Sequence, residues 1–345
     1  MISFKPAFVV LVFSALLAAC GQSPKPLPKG DPRPKIGLLM DTLAKEERWQ
    51  RDRDLFLARA QQLNADVLVE AAERDDAKQL QQAESLLERG VQALVVVPHS
   101  SEAAARIVEA AKKRSVPVIS YDRLILNADI DMYLSYDNRD VGEQQAQFLR
   151  NRAPKGNYIL IGGAPTDHNA KLLREGQMAA LEDAVKSGAI KIVADPWATD
   201  WQADAAMELT DAALTKAHNQ VVAVVASNDV TAGGAIKALE KHGLAGKVLV
   251  SGQDANVDAV RRIMDGTQTM TVYKPLKPLA RAAASTAVQM AKKEKVEGTS
   301  TVDNGLKQVQ AILFSPTTIH KDLIPILYSD NFLTPAQVGG TPAKK

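Results

Sequence analysis

Polar and aromatic side chains follow most of the apolar runs in this sequence that have the length and composition of β-strands. They are Asp41, Arg48, Trp49, Arg123, Asn138, Asn169, Trp201, Asn228, Asp229, Asp254 and Lys274. A carboxylate accepts two hydrogen bonds, a guanidinium donates a fork, and an amide does one of each, which matches vicinal hydroxyl groups that both donate and accept. Tryptophan adds a flat apolar face. This mixture of residue types predicts a site for a neutral sugar.

Each of these residues also has a simpler structural interpretation. Asn and Asp at a strand-to-helix junction are more often helix N-caps than ligand contacts, Arg48 would usually lie on a solvated helix face, and Trp49 would usually be core. A binding site is favoured because nearly every predicted strand end carries such a group and because two of the three tryptophans lie there. At one strand end, Asn228 is predicted to contact the sugar and Asp229 to cap the following helix.

Catalytic, metal and nucleic-acid sites are not indicated. The G-x-S-x-G and H-E-x-x-H motifs are missing, the five histidines have no ligand spacing, and Cys20 is the one cysteine. Gly162-Gly163 lacks the Lys-Ser/Thr of a phosphate loop. The 42 basic and 40 acidic residues nearly balance, which argues against a nucleic-acid partner. We expect a binding protein that is not an enzyme and uses neither a cofactor nor a metal.

The elements that must position these side chains alternate between strand and helix. Lys35–Met40 is predicted to be a strand, and apolar residues at helical spacing predict a helix over 46–63. The alternation continues to a last clear strand at 269–273 and predicts an α/β fold with doubly wound parallel sheets, whose carboxyl ends form binding crevices. A break at 132–138 divides the series into comparable halves, which favours two open sheets over a closed eight-stranded barrel.

The first twenty residues have the pattern of an export leader. Lys5 precedes the apolar run 7–19, and Leu17-Ala18-Ala19-Cys20 resembles the lipobox of bacterial lipoproteins, in which the cysteine is lipid-modified. The alternative is an ordinary cleavage site with a coincidental cysteine. Residues 21–34 contain five prolines and are predicted to be an extended tether. We therefore expect an extracytoplasmic lipoprotein, periplasmic or on the outer face of the cell membrane.

A series of short segments occurs at these strand ends in a characteristic order. They are KIGLLM with ERWQRDRD, ISYDRLI, NADIDMYLSYDN, GNYILIGG, NAKLLREGQM, VVASNDVTAGGAI, SGQDA and GTQTMTVYKP. Together they resemble the D-xylose-binding proteins of bacterial ABC importers, a branch of the ribose- and galactose-binding type of periplasmic protein. The resemblance covers roughly residues 35–316.

The resemblance implies two Rossmann-like domains of the type I periplasmic binding protein fold, joined by three crossovers that form a hinge, with a sugar held between them. The expected domains are 35–138 plus about 275–303, and 139–274 plus about 304–330, followed by a flexible tail at 331–345. Carried over by position, the family's ligand contacts are Arg48, Trp49, Arg123, Asn169, Trp201, Asn228, Asp254 and Lys274.

The expected function is capture of a monosaccharide by a monomeric protein that delivers it to an ABC transporter permease. The resemblance implies D-xylose as the favoured sugar, and a preference for pentoses is expected if the bulky Trp201 and forked Arg123 leave no room for a hydroxymethyl group. The alternative is a sensor that presents the bound sugar to a membrane kinase or chemoreceptor. A repressor of the related sugar-responsive class would need a basic DNA-binding headpiece where this chain has its leader, and an exported sugar-modifying enzyme is favoured least.

Overall fold

Strands and helices alternate along the folded part of the chain. The computed structural model describes residues 1, 33–44 and 47–339. The strands are β1 (Lys35–Met40), β2 (Asp66–Ala71), β3 (Ala93–Val96), β4 (Val118–Tyr121), β5 (Met132–Tyr136), β6 (Gly156–Ile161), β7 (Ile190–Ala194), β8 (Ala223–Ala226), β9 (Leu249–Val250), β10 (Thr271–Tyr273), β11 (Ser300–Asp303), β12 (Gln308–Phe314) and β13 (Thr317–Ile319). The helices are α1 (Glu47–Gln62), α2 (Asp76–Glu88), α3 (Ala105–Lys112), α4 (Asn138–Arg152), α5 (His168–Lys186), α6 (Ala203–Lys216), α7 (Asp229–Lys241), α8 (Val257–Asp265), α9 (Leu276–Ala291) and α10 (Pro325–Ser329).

The first lobe is built on a seven-stranded sheet in the order β2-β1-β3-β4-β5-β12-β11. Its neighbours pair in parallel, except for the antiparallel pair of β11 and β12. Helices cover both faces: Ile36, Leu38 and Met40 belong to the apolar cluster under α1 and α9, while Leu39 belongs to the cluster under α2 and α3. A strand buried on both faces needs a continuous apolar run, which explains the sequence KIGLLM.

The second lobe repeats this plan on a smaller sheet in the order β7-β6-β8-β9, with all neighbours parallel. An isolated bridge between Gln253 and Val272 continues the sheet towards β10, which pairs antiparallel with β13. The order of the first five strands is therefore the same in both lobes, that of a doubly wound sheet of the flavodoxin type. The predicted fold class, two Rossmann-like doubly wound domains, is confirmed.

Three connections pass between the lobes in the part of the chain that the structure describes. They follow β5 at Asp137, β10 at Lys274 and β12 at Ser315. Each connection is short, and side chains that follow strands of both lobes line one cavity. Among the described residues, no helix is both long enough and apolar enough to cross a membrane.

Two boundaries predicted from the sequence are wrong. The β11–β12 hairpin turns at Gly305, and β12 pairs with β5 through Ala311 and Tyr133, so residues 304–314 belong to the first lobe rather than the second. Leu333 and Val338 are buried in an apolar cluster with the second lobe, so 331–339 are not a free tail. Long-range pairing and burial decide both assignments. Cys20 and most of the predicted tether lie outside the described residues.

Candidate functional site

All eight predicted contact residues line one cavity between the two lobes, with about 320 Å³ of space not filled by protein atoms. They are Arg48, Trp49, Arg123, Asn169, Trp201, Asn228, Asp254 and Lys274. The cavity lies where the carboxyl ends of both sheets meet, as expected for open parallel sheets.

Arg48, in the first turn of α1, is the centre of the charged group on the first lobe. Trp49, Phe56 and Ala60 are buried on the core side of this helix, which holds the Arg48 backbone in place at the cavity edge. The guanidinium pairs with Asp52 one turn later, with Nε 3.4 Å from Oδ2, and also with Asp122.

The pKa values of these two acidic partners move in opposite directions. Burial raises the pKa of Asp52 to about 6, against the opposing effect of Arg48 and of a hydrogen bond donated by the Tyr121 hydroxyl. Burial also disfavours the charged form of Asp122, but the charges of Arg48 and Lys274 outweigh it and hold the pKa of Asp122 below its usual value. Asp122 is therefore a fixed anion at neutral pH, whereas the pKa of Asp52, about 6, lies close to neutral pH.

Arg123 follows β4 and is the second cation of the first-lobe wall. Its Nη1 lies 2.8 Å from Asp41 Oδ2, and Nδ1 of His99 lies 3.1 Å from the other oxygen of Asp41. Burial opposes ionisation of Asp41, but Arg123 and His99 lower its pKa, and the hydrogen bond to Asp41 raises the pKa of His99. The guanidinium carbons of Arg48 and Arg123 lie 4.5 and 5.4 Å from the ring centre of Trp49, at cation–π distances.

The second-lobe wall begins at the N-terminus of α5. Asp167 caps this helix by accepting from the Asn169 backbone amide at 2.9 Å, and it also accepts from Trp201 Nε1 at 3.2 Å. The Asn169 amide nitrogen donates across the cleft to the Asp122 carbonyl and carboxylate oxygens at 3.1 and 3.2 Å. Asp167 also pairs with Arg123 Nε at 2.8 Å, so one carboxylate connects three of the predicted contact residues.

Trp201 reaches the cavity by a local backbone distortion. Asp200 and Trp201 have φ of 50° and 59°, in the left-handed region that non-glycine residues seldom occupy. The indole ring packs directly on Gly163, where a Cβ would lie 2.2 Å from ring atoms. Glycine is required at this position because the backbone itself forms the support for the ring.

The helix cap predicted at Asp229 is wrong, whereas the sugar contact predicted for Asn228 stays a prediction. Asn228, not Asp229, is the N-cap of α7: its side-chain oxygen accepts from the Thr231 amide at 2.9 Å in a capping box. Asn228 also lines the cavity. Asp229 is the first helical residue and is buried, and it accepts from Gln268 and Thr271 at 2.9 Å. Burial raises the pKa of Asp229 to about 7.

Asp254 and Lys274 complete the site near the connection between the lobes that follows β10. Asp254 has φ of 95° and donates its backbone amide to Val272 at 2.8 Å, which turns its carboxylate into the cavity. Its Oδ1 pairs with Arg48 Nη1 at 3.2 Å and with Lys274 Nζ at 3.4 Å. The side chain of Lys274 is 2% exposed, and its ammonium also lies 4.0 Å from Asp122. An ion pair between Arg48 and Asp254 thus joins the two lobes.

Within the described part of the chain, four other residues line the same cavity: Asp122, Asn138, Asp167 and Gln253. Asn138 belonged to the predicted set of strand-end residues without a contact role. Asp122 and Gln253 are direct neighbours of predicted contacts, in Tyr-Asp-Arg and Gly-Gln-Asp, so their position at a strand end could have identified them as cavity residues. Asp167 had only the weaker signal of a polar residue before a helix.

Two buried polar atoms on the cavity walls have no hydrogen-bond partner within the described residues, namely Trp49 Nε1 and Gln253 Oε1. Buried polar groups in folded proteins are nearly always paired, so an unpaired donor and an unpaired acceptor at one cavity favour a polar ligand there. The described ranges contain no cluster of three or more His, Cys, Asp or Glu side chains placed to hold a metal ion.

Comparison with known proteins identifies the family. The family model described as a periplasmic binding protein domain matches residues 36–295. The chain is 49% identical over 287 residues to a D-xylose-binding periplasmic protein of Haemophilus influenzae, covering 83% of this chain and 86% of the relative. It is 47% identical over 290 residues to a D-xylose-binding periplasmic protein of Escherichia coli, covering 84% and 88%.

A solved structure supports the same assignment at the level of the fold. It is a carbohydrate transporter solute binding protein from Chloroflexus aurantiacus in complex with D-glucose, with a TM-score of 0.82 and 30% sequence identity. The match covers 88% of this chain and 97% of that chain. The sequence match, the two-lobed fold and the polar cavity between the lobes agree, and the chain belongs to the periplasmic binding protein family.

Proposed function

We propose that this protein captures a monosaccharide between its two lobes and delivers it to an ABC transporter permease, with D-xylose as the preferred sugar. The observation that carries the proposal is the cavity lining. Charged groups, amides and two tryptophans from both lobes converge on a space of about 320 Å³. The names of the two relatives at 47–49% identity supply the choice of sugar.

The proposed contacts divide by chemistry. Trp49 from the first lobe and Trp201 from the second offer flat apolar faces to the C–H face of a pyranose ring. The arginines, Lys274 and the amides donate to hydroxyl oxygens, and Asp254 accepts from hydroxyl protons. Hydrogen bonds to charged groups contribute about 1.5–3 kcal/mol each, and micromolar affinity requires about 8 kcal/mol net, so a few such bonds with stacking suffice after ordering costs.

Sugar binding favours the closed arrangement because its contacts come from both lobes. A ligand shifts an equilibrium only by its difference in affinity for the two states, and a sugar held by one wall alone would gain fewer bonds. Contacts between the lobes add to closure: the Ser101 amide donates to the Thr166 carbonyl at 3.1 Å, and the His168 amide donates to Ser101 Oγ at 3.0 Å. The closed shape is the form that a permease would recognise.

Calorimetric titration with D-xylose, D-ribose, L-arabinose, D-glucose and D-galactose tests the ligand. We expect D-xylose to bind tightest. Tighter binding of a hexose would contradict the pentose preference, and absence of binding to every sugar would contradict the proposed function. Prolonged incubation with the bound sugar is expected to leave it unchanged, since we propose no catalysis.

Two substitutions at Asn228 separate ligand contact from helix capping. Asn228→Ser keeps a capping oxygen and removes the amide, whereas Asn228→Ala removes both. We expect both variants to lose at least tenfold in sugar affinity, and only the alanine variant to lose stability, by about 1 kcal/mol. Near-normal affinity in the serine variant would remove Asn228 from the set of contacts. Asp254→Ala is expected to lose at least tenfold as well.

We further propose that a lipid on Cys20 anchors the protein and that a permease is its partner. The support is the lipobox-like Leu17-Ala18-Ala19-Cys20 and the periplasmic type of the family. Membrane fractionation of the full chain and of Cys20→Ala tests the anchor, and release of only the variant into the soluble fraction is expected. Sugar-dependent co-purification tests the partner, and capture of a membrane kinase or chemoreceptor in place of a permease would favour the sensor role.

A further inference from the structure

Asp52 is a buried carboxylate that contacts the binding site without lining it. Its residue is 1% exposed and lies one helical turn after Arg48, whose Nε donates to Oδ2 at 3.4 Å. The Tyr121 hydroxyl, from β4 in the neighbouring sheet, donates to the other oxygen. Asp52 thus accepts a hydrogen bond from Tyr121 in the core and, with its other oxygen, one from the Arg48 guanidinium on the cavity wall.

The charges around Asp52 do not balance when every group is ionised. Among the described residues, three carboxylates, Asp52, Asp122 and Asp254, pair with two cations, Arg48 and Lys274, so these direct pairs leave one negative charge in excess. The charge of Arg123 also acts on Asp122, but Arg123 itself pairs with Asp41 and Asp167. The hydroxyls of Tyr121 and Tyr136 also face this cluster, and both are neutral because burial raises their pKa values. Protonation of one carboxyl would remove the excess.

Asp52 is the carboxyl best placed to accept that proton. Arg48 and Lys274 hold the pKa of Asp122 below its usual value, whereas burial raises the pKa of Asp52 to about 6. Asp52 also lies behind Arg48, away from the cavity, so a proton there leaves the cavity-lining carboxylates charged.

We propose that Asp52 is a positioning residue whose ionised carboxylate fixes the Arg48 guanidinium for sugar binding, and that protonation of Asp52 loosens this hold and weakens binding. A guanidinium has five N–H donors, and in this cluster Nε, Nη1 and Nη2 each direct one to a carboxylate. The remaining two are available to the ligand only in the orientation that those carboxylates define. The inference rests on the proposed function of sugar binding.

Titration of the full chain with D-xylose at pH 5, 6, 7 and 8 tests this role. Wild type is expected to lose about fivefold to tenfold in affinity as pH falls through about 6, since the ion pair of Arg48 with Asp52 is reduced to a hydrogen bond from Arg48 to a neutral carboxyl group. Asp52→Asn is expected to bind about fivefold to tenfold more weakly than wild type at pH 8. It is also expected to lose the fall in affinity at low pH, which is called the acid limb below. Asp54→Asn changes net charge equally on the same helix at an exposed carboxylate, and it is expected to follow wild type.

The outcomes separate this inference from the proposed function. Wild type that binds D-xylose with the same affinity from pH 5 to 8, or Asp52→Asn that retains the acid limb, would overturn the role of Asp52 and leave sugar binding intact. An equal effect of Asp54→Asn would assign the change to net charge and also overturn it. Failure of wild type to bind at every pH would instead remove the proposed function.

A second variant keeps the test valid if Asp52→Asn does not fold. Tyr121→Phe removes one hydroxyl and its hydrogen bond, which favours the ionised form of Asp52, so the pKa of Asp52 rises further. The acid limb is then expected to move to higher pH with unchanged affinity at pH 8. A limb that stays in place would overturn the proposal.

Discussion

The two walls of the cavity are built by different physical means. On the first lobe, Arg48 and Arg123 are oriented by carboxylates behind and beside them, including Asp52 and Asp41. On the second lobe, Asn169 and Asn228 lie at helix N-termini, and Trp201 and Asp254 are placed by left-handed backbone conformations. The geometry of the first wall therefore depends on charge, and that of the second depends on backbone shape.

This difference indicates which perturbations each wall should resist. A neutralised carboxyl or a lost cation should disturb the first wall, whereas the second wall should respond to an added Cβ or a lost cap. The walls also contact each other directly, through Arg48 with Asp254 and Arg123 with Asp167 at 3.2 and 2.8 Å. Asn169 of the second wall also donates to Asp122 of the first. Damage to one wall is therefore expected to reach the other through these ion pairs and hydrogen bonds.

Removal of Arg48 is the strongest test of the charged wall. Arg48→Ala removes the cation that pairs with Asp52, Asp122 and Asp254, and breaking a buried ion pair costs about 3–5 kcal/mol. We expect sugar affinity to fall at least a hundredfold and the free energy of unfolding to fall by about 3–5 kcal/mol, measured by calorimetry and denaturant titration.

Arg53→Ala is the matched control for that experiment. Arg53 lies on the same helix, has a side chain 30% exposed and pairs with the exposed Asp54, so its loss is expected to cost less than about 1 kcal/mol. Equal effects of the two substitutions would show that the helix, and not the charged cluster, responds. Such a result would remove the contrast between the walls.

A methyl group at Gly163 is the corresponding test of the backbone-built wall. In Gly163→Ala the new Cβ would lie 2.2 Å from the Trp201 ring, so the ring must move. Overpacking of this kind costs about 1–3 kcal/mol, and we expect sugar affinity to fall about tenfold to a hundredfold relative to wild type, by the same factor at pH 6 and at pH 8.

The adjacent glycine supplies a control with the same chemistry. A Cβ at Gly162 would lie 2.7 Å from Trp197, a tryptophan that does not line the cavity. Gly162→Ala is therefore expected to lower stability and to keep sugar affinity within about twofold. If both variants bind equally well, Trp201 is not a ligand contact.

The sequence predicts which residues lie at the cavity better than it predicts their local roles. Strand ends in an α/β fold are read from apolar runs, so the predicted positions of Arg48, Trp201 and Lys274 at one cavity hold. Local spacing does not show which residue caps a helix and which is buried behind it, so the roles assigned to Asn228 and Asp229 were partly wrong.

Features that depend on distant partners were not predicted. The strands β11, β12 and β13 follow the last strand expected from the sequence, because β12 is defined by its pairing with β5 rather than by a local signal. The carboxylates of Asp52 and Asp167 become recognisable only when their partners, Arg48 and Arg123, are placed beside them. Sequence patterns thus identify side chains at strand ends but not the groups that orient them.

The smallest effect expected is a pH dependence of stability from His99, which lies behind the charged wall. The hydrogen bond to Asp41 raises the pKa of His99 above its unfolded value of about 6.5. The protonated form therefore stabilises the fold fully below the unfolded pKa, and this contribution is lost as pH rises through the higher folded pKa. Relative to His99→Gln, wild type should lose about 0.5–1 kcal/mol of unfolding free energy between pH 6 and 8, measured by denaturant titration.

Sugar affinity should change less than twofold in the His99→Gln variant, because Arg123 still pairs with Asp41. Parallel stability curves for the two proteins over this range would show that the charge network behind the first wall does not couple to folding, and the contrast with the second wall would then rest on Arg48 alone.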